Sequence, residues 1–267
     1  MTTSSRLAVL TMAATLAALP AVAADSRRPA AAETRFGELT VSTGIDYSTG
    51  KYGQAISTDI VSVPVTAKLE KDEWTAKLTV PWVEMTGPAD VVQGVGRIRG
   101  RAAATATRSG LGDVTASLGR TVWDDRTNGT AVDVTGKIKF GTASAADGLG
   151  TGENDYSLAI EPSQRFGAVT AFGSLGYKIV GNPGGADLGD EVIGSLGASV
   201  DVAPGTPVGV EFTFQEPTGG SAAPQRDVTA FIDHHLNDQA KGQLYLVRGL
   251  ADGSPDWGGG AMLSYRF

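Results

Sequence analysis

The stretch Asp256-Trp257-Gly258-Gly259-Gly260-Ala261-Met262-Leu263-Ser264-Tyr265-Arg266-Phe267 reads as one amphipathic β-strand. Trp257, Gly259, Ala261, Leu263, Tyr265 and Phe267 fall on one face, and Gly258, Gly260, Met262, Ser264 and Arg266 on the other, the period of two that a strand imposes. A soluble sheet seldom stops on an exposed aromatic. The closing strand of an outer-membrane barrel has reason to, because it faces lipid on one side and a polar lumen on the other.

The opposite end agrees. Arg6, the apolar run Leu7 to Leu19 and the small residues Ala21-Val22-Ala23 form a secretory leader, expected to be cut after Ala23 or Ala24. The run, about a dozen residues, is too short to cross a bilayer as a helix, and no other stretch approaches the length of a membrane helix. The expected organisation is a signal peptide over 1–24, a periplasmic extension over 25–35 and a barrel over 36–267. A mean hydropathy of -0.04 is compatible with this, since half of each strand in a water-filled barrel is polar. With 36 Gly and 12 Pro the chain favours strands and turns, and with no Cys the fold must be held by something other than disulfides. A closed ladder can do so. The net charge of -7 becomes -8 once the leader and its Arg6 are removed, which argues against nucleic acid as a partner.

Between the two ends, alternating segments predict twelve antiparallel strands of an all-β, up-and-down transmembrane barrel. They run approximately over Phe36 to Tyr47, Thr58 to Glu70, Trp74 to Met85, Asp113 to Trp123, Ala131 to Phe140, Asp155 to Phe166, Val169 to Val180, Glu191 to Val202, Pro207 to Gln215, Asp227 to Leu236, Lys241 to Leu250 and Asp256 to Phe267. The even number returns both termini to one side. Short turns (Lys71-Asp72, Asp124 to Gly129, Gly167-Ala168, Ala203 to Thr206, Asn237 to Gln239) are expected at the periplasmic end, and longer connections, chiefly Gly87 to Gly112, outside. Trp74 and Trp82 are expected in the two interfacial girdles. Pro64, Pro81 and Pro162 inside strands predict bulges, because each removes a ladder donor. Arg120 falls on the outward face and must sit near an interface unless the local phase is wrong. Strand eleven can be phased with Leu244 and Leu246 outward or with Tyr245 and Val247 outward.

Several blocks carry a resemblance: Ser62-Val63-Pro64-Val65, Leu78-Thr79-Val80-Pro81-Trp82, Gly110-Leu111-Gly112-Asp113-Val114, Gly136-Lys137-Ile138-Lys139-Phe140-Gly141-Thr142, Gly148 to Tyr156 and Asp252 to Gly260. From about Tyr47 to Phe267 the chain resembles a family of bacterial outer-membrane transporter-like proteins, also labelled putative phenol-degradation meta-pathway proteins. The resemblance implies a bacterial outer-membrane barrel with a role in uptake of small, including aromatic, compounds, and it assigns no functional residues.

Lumen-lining residues follow from the strand phase: Lys68, Lys77, Asp133, Lys137, Lys139, Glu161, Lys178, Glu211 and Arg266, with Glu38, Asp46 and Asp201, and with Phe172 and Phe231 as inward aromatics. Arg97, Arg99, Arg101 and Arg108 crowd the longest loop. Folded inward they form a cationic constriction for anionic or polar solutes; turned outward they meet lipopolysaccharide or water. Acidic residues Asp147, Glu153, Asp155, Asp187, Asp190 and Glu191 are read as loop residues that gather divalent cations at the lipopolysaccharide surface or are simply solvated. An enzyme is not expected. The only histidines, His234 and His235, sit beside a periplasmic turn and point to opposite faces, so they do not share a metal. The glycine runs near Gly94 and Gly148 lack the following helix of a phosphate loop, and Asn128-Gly129 reads as a tight turn. The expected function is therefore a cofactor-free channel for passive or facilitated diffusion of small solutes, with a structural or adhesion barrel of closed lumen as the alternative. Expected partners are outer-membrane lipid, lipopolysaccharide, the small-molecule solute and the barrel-assembly machinery, the last through the strand ending in Phe267.

Overall fold

The computed structural model describes residues 37–52, 55–88, 91–92, 96–97, 105–182, 189–217 and 224–267; the expected leader and extension lie outside them. The regular structure described is β throughout: β1 (Glu38–Gly50), β2 (Thr58–Lys71), β3 (Trp74–Pro88), β4 (Val91–Val92), β5 (Gly96–Arg97), β6 (Thr105–Leu111), β7 (Thr115–Asp125), β8 (Thr130–Lys139), β9 (Asp155–Phe166), β10 (Val169–Ile179), β11 (Glu191–Ala203), β12 (Thr206–Pro217), β13 (Gln225–His235), β14 (Ala240–Gly249) and β15 (Trp257–Arg266). Antiparallel pairing runs from β2 through β1, β15 and each preceding strand down to β7, and β7 and β2 both pair with β3, which closes the ring.

The ring has twelve staves because β6 and β7 act as one. β7 pairs with the first half of β3 (Trp74↔Arg120 to Thr79↔Thr115) and β6 with the second (Trp82↔Leu111 to Pro88↔Thr105). At the step between them Gly112, Asp113 and Val114 oppose only Val80 and Pro81, and the Gly112 amide donates to the Pro81 carbonyl at 2.8 Å. This is the bulge expected at Pro81, carried by the neighbouring strand. Pro64 and Pro162 behave otherwise. Pro64 leaves a gap in the β1–β2 ladder opposite Gly44 and Ile45, and Pro162 one in the β9–β10 ladder opposite Gly173 and Ser174, yet the register on either side is unchanged. The bulges expected at these two prolines are absent: each omits a rung without adding a residue.

The expected fourth strand is longer than its alternation indicated. Thr105 to Leu111, read as loop, is paired strand, and β3 runs on to Pro88 beside it. Strand phase follows the burial alternation. Leu244 and Leu246 of β14 face out while Tyr245 lies inward over Gly260, which decides the phase of that strand.

Outside, Leu, Val and Ile side chains lie between two aromatic girdles, as a barrel in lipid requires. One girdle holds Trp74, Trp123, Phe166, Tyr265 and Phe267 near the short turns; the other holds Tyr47, Tyr156, Tyr177 and Trp257 near the long loops. The Tyr47 and Tyr177 hydroxyls donate to Asp59 (2.9 Å) and Asp190 (3.1 Å), polar partners at the water side of the girdle. Arg120 keeps its outward phase and sits at the other boundary, 3.1 Å from Glu73 in the turn and with its guanidinium over the Trp74 ring. Both groups of this pair are more than half exposed, so Arg120→Gln is expected to change refolding stability by less than about 1 kcal/mol in a urea titration.

Candidate functional site

The inward faces of the staves build the lumen, and the register fixes which side chains lie abreast. One row of register partners runs Arg266, Thr40, Lys68, Lys77, Ser117, Lys137, Ser157, Lys178, Glu191 across β15, β1, β2, β3, β7, β8, β9, β10 and β11. Because staves tilt, such a row climbs as it winds. It starts at the periplasmic rim and ends at the outer end of β11. The row above it is hydroxyl-rich, with Ser264, Ser42, Thr66, Thr79 and Thr115 preceding Lys139 and Asp155. Its hydroxyls bond to one another at 2.8 Å, Ser42 to Ser264 and Thr66 to Thr79.

Four basic groups of these rows are paired. Lys68 meets Glu70 at 2.6 Å, Lys139 meets Asp155 at 3.1 Å and Asp113 at 3.3 Å, Lys178 pairs with Glu191, and Arg266 reaches Glu38 at 3.3 Å. Asp133 and Glu161 accept from Thr121 (2.6 Å) and Thr135 (3.1 Å). Glu211 is buried on β12 and points inward with them. Asp155 and Glu191, read from sequence among the loop carboxylates, thus face the lumen and bind lysines instead of surface cations. Asp147 and Asp190 are held by Ser144 and Tyr177 in the outer loops, and Asp187 lies outside the described residues.

Farther round the wall, from β10 to β13, the lining is aromatic. Phe172 and Phe231 are buried inward with ring centroids 6.5 Å apart. Each lies flat on a glycine at its paired position, Phe172 on Gly197 and Phe231 on Gly209, where a Cβ would collide with the ring. Tyr245 and Met262 lie over Gly260 and Gly44 in the same way. Bulky groups are thereby laid along the wall, out of the bore.

At the outer mouth Tyr52 packs on Ile60, Val83 and Met85, and its hydroxyl donates to Ser48 at 2.9 Å. Burial, with Asp227, Asp59 and Asp256 nearby, holds its phenol above the usual tyrosine range. Nothing in the sequence marked this cluster except an aromatic in a short polar loop. Of the four loop arginines only Arg108 has a described side chain: it faces inward on β6 and donates to the Pro88 carbonyl at 3.3 Å. Arg97 lies in β5, paired with Val91, while Arg99 and Arg101 lie outside the described residues. His234 and His235 end β13 at a periplasmic turn, His234 Nδ1 sharing a hydrogen bond with Thr206 at 2.9 Å. Among the described residues no three His, Cys, Asp or Glu converge as metal ligands.

These features define a transmembrane β-barrel of the outer-membrane type. An outer membrane channel from Pseudomonas putida F1 superposes with a TM-score of 0.66 at 14% identity, covering 90% of this chain and 99% of that one. The NanC porin gives 0.58 at 8% identity (85% and 98% covered), and the translocator domain of the autotransporter NalP from Neisseria meningitidis 0.52 at 12% (86% and 88%). No protein-family model and no curated protein matches the sequence. At these identities the likeness is one of fold, and it is the fold that the resemblance to transporter-like outer-membrane proteins implies.

Proposed function

We propose that the chain is a narrow, cofactor-free channel of the bacterial outer membrane that passes small polar or charged solutes, aromatic and anionic ones among them, by diffusion. The observation that carries this reading is the inward arrangement of charged and hydroxyl rows against an outer belt of Leu, Val and Ile. A lumen built that way holds water, and twelve staves enclose more space than side chains alone fill. The outer-membrane channel and porin of like fold support it. Arg108, with Arg97, Arg99 and Arg101 beside it in sequence, belongs to the outer constriction in this reading. Catalysis has no place in it, since the histidines stand at the periplasmic rim. The girdles meet lipid and, outside, lipopolysaccharide.

A second reading, a structural barrel with a shut bore, is favoured by the apolar packing of Tyr52 on Ile60, Val83 and Met85 at the outer mouth. Planar-bilayer recording of the refolded chain separates the two: discrete conductance steps are expected, and persistent silence of correctly folded barrel overturns the channel. Biogenesis through the barrel-assembly machinery is expected to depend on the terminal aromatic. Phe267→Ser should lower the amount of heat-modifiable barrel in outer membranes several-fold, and unchanged assembly would contradict that role.

A further inference from the structure

Lys77 and Lys137 differ from the other lysines of the two rows. Lys68 and Lys178 in their own row, and Lys139 in the row above, each have a carboxylate within ion-pairing distance, whereas among the described residues Lys77 and Lys137 have none. The charges that reach Lys77 do so at longer range, from Lys68, Glu161, Glu70 and Asp133; those that reach Lys137 come from Lys178, Glu161, Asp155 and Lys77. Glu161, the acid whose charge reaches both, accepts from the Thr135 hydroxyl, while Glu70 and Asp155 are held by Lys68 and Lys139.

The register puts the two lysines two staves apart at one level. Lys77 pairs with Ser117 and Ser117 with Lys137, so a serine stands between two lysines on three successive staves, all on the lumen face. Adjacent strands are about 4.8 Å apart, which separates the two lysine Cα atoms by about 10 Å. Two four-carbon stems rising from that spacing can bring both ammonium groups to one small guest. An otherwise acidic chain, with a net charge of -7, thus leaves two inward lysines, two staves apart, without an ion-pair partner. An anion between them supplies that partner and gains charge-assisted hydrogen bonds.

We propose that Lys77, Ser117 and Lys137 form an anion-binding step in the lumen that takes a small oxyanion, a carboxylate or a phosphate, between two ammonium groups and one hydroxyl. Its consequence for transport rests on the channel reading: the bore selects anions although the protein is acidic. Binding itself needs only the folded barrel.

Two measurements on the refolded mature chain test it, with heat-modifiable mobility as the check on folding. In detergent, chloride-35 line broadening is expected for the parent, absent in Lys77→Gln/Lys137→Gln and restored in Lys77→Arg/Lys137→Arg. Acetate and phosphate are added separately as competitors. Displacement by either identifies an oxyanion step and its preferred kind, and displacement by neither overturns the proposal, a result read on the parent alone should a variant misfold. In bilayers under a potassium chloride gradient, the reversal potential of the parent is expected on the anion side, changing sign in the Gln pair. A cation-selective parent, or a Gln pair with parental broadening and potential, overturns the binding step while leaving the channel standing. Silent bilayers with lysine-dependent broadening overturn the channel and leave the binding step.

Discussion

Leu246→Arg is expected to lower the stability of the inserted barrel by about 2–4 kcal/mol, the cost of a guanidinium held in hydrocarbon near the bilayer midplane. Leu246 is among the most exposed apolar residues, at 67%, and lies on β14 between the two girdles, opposite Ala230 and Gly259 on the neighbouring staves. Snorkelling to either boundary would have to span that height. Thr213→Lys supplies the control: it adds a charge on the inward face of β12, level with Asp227, and should change stability by less than about 1 kcal/mol. Urea-driven unfolding from phospholipid vesicles measures both. Equal losses for the two variants would mean that the faces have been assigned wrongly. Arg120 shows the tolerance that the wild type already uses, because its guanidinium reaches Glu73 and Trp74 at the boundary.

Tyr52→Ala should act on both stability and permeation. Tyr52 is 2% exposed, and truncating a buried aromatic typically costs about 3 kcal/mol through lost burial and the cavity left behind. The expected loss is smaller if the backbone relaxes, since Tyr52 adopts a φ of 50° that L side chains rarely choose. Removing the ring uncovers Ile60, Val83 and Met85 at the outer mouth, so single-channel conductance is expected to rise. Tyr52→Phe keeps the packing and loses only the bond to Ser48, and its conductance should stay near the parental value. A Tyr52→Ala barrel of unchanged conductance would place the narrowest point deeper in the bore.

Most staves were legible because lipid demands apolar residues on one face and the lumen tolerates polar ones on the other. That contrast is strong in β1, β2, β3, β8 and β15, and both the phase and the short turns followed from it. It fades where a strand rises past the membrane. Thr105 to Leu111 carries Arg108 and threonines, and Thr107 bonds outward to Thr86 at 2.9 Å, so no apolar period betrays that β6 is a strand. The lining residues were legible one at a time, but their neighbours were not. Lys77 and Lys137 lie in different hairpins, and only the pairing through Ser117 brings them abreast. The glycine floors under Phe172 and Phe231 were hidden for the same reason, since which glycine meets which ring depends on register.

The missing rungs at Pro64 and Pro162 bound a panel of the wall, β2 to β9, with the Gly112–Val114 step inside it. That panel carries Lys68, Lys77, Lys137 and Lys139, while Phe172, Phe231 and Tyr245 stand on the arc outside it, where the ladder shifts register only at Asp201 to Ala203, by the short β11–β12 turn. Hoop stiffness is therefore uneven around the circumference. When thermal motion ovalises the tube, the lysine-bearing panel is expected to flex at its two seams more than the aromatic arc does, so that the aperture widens and narrows chiefly from one side.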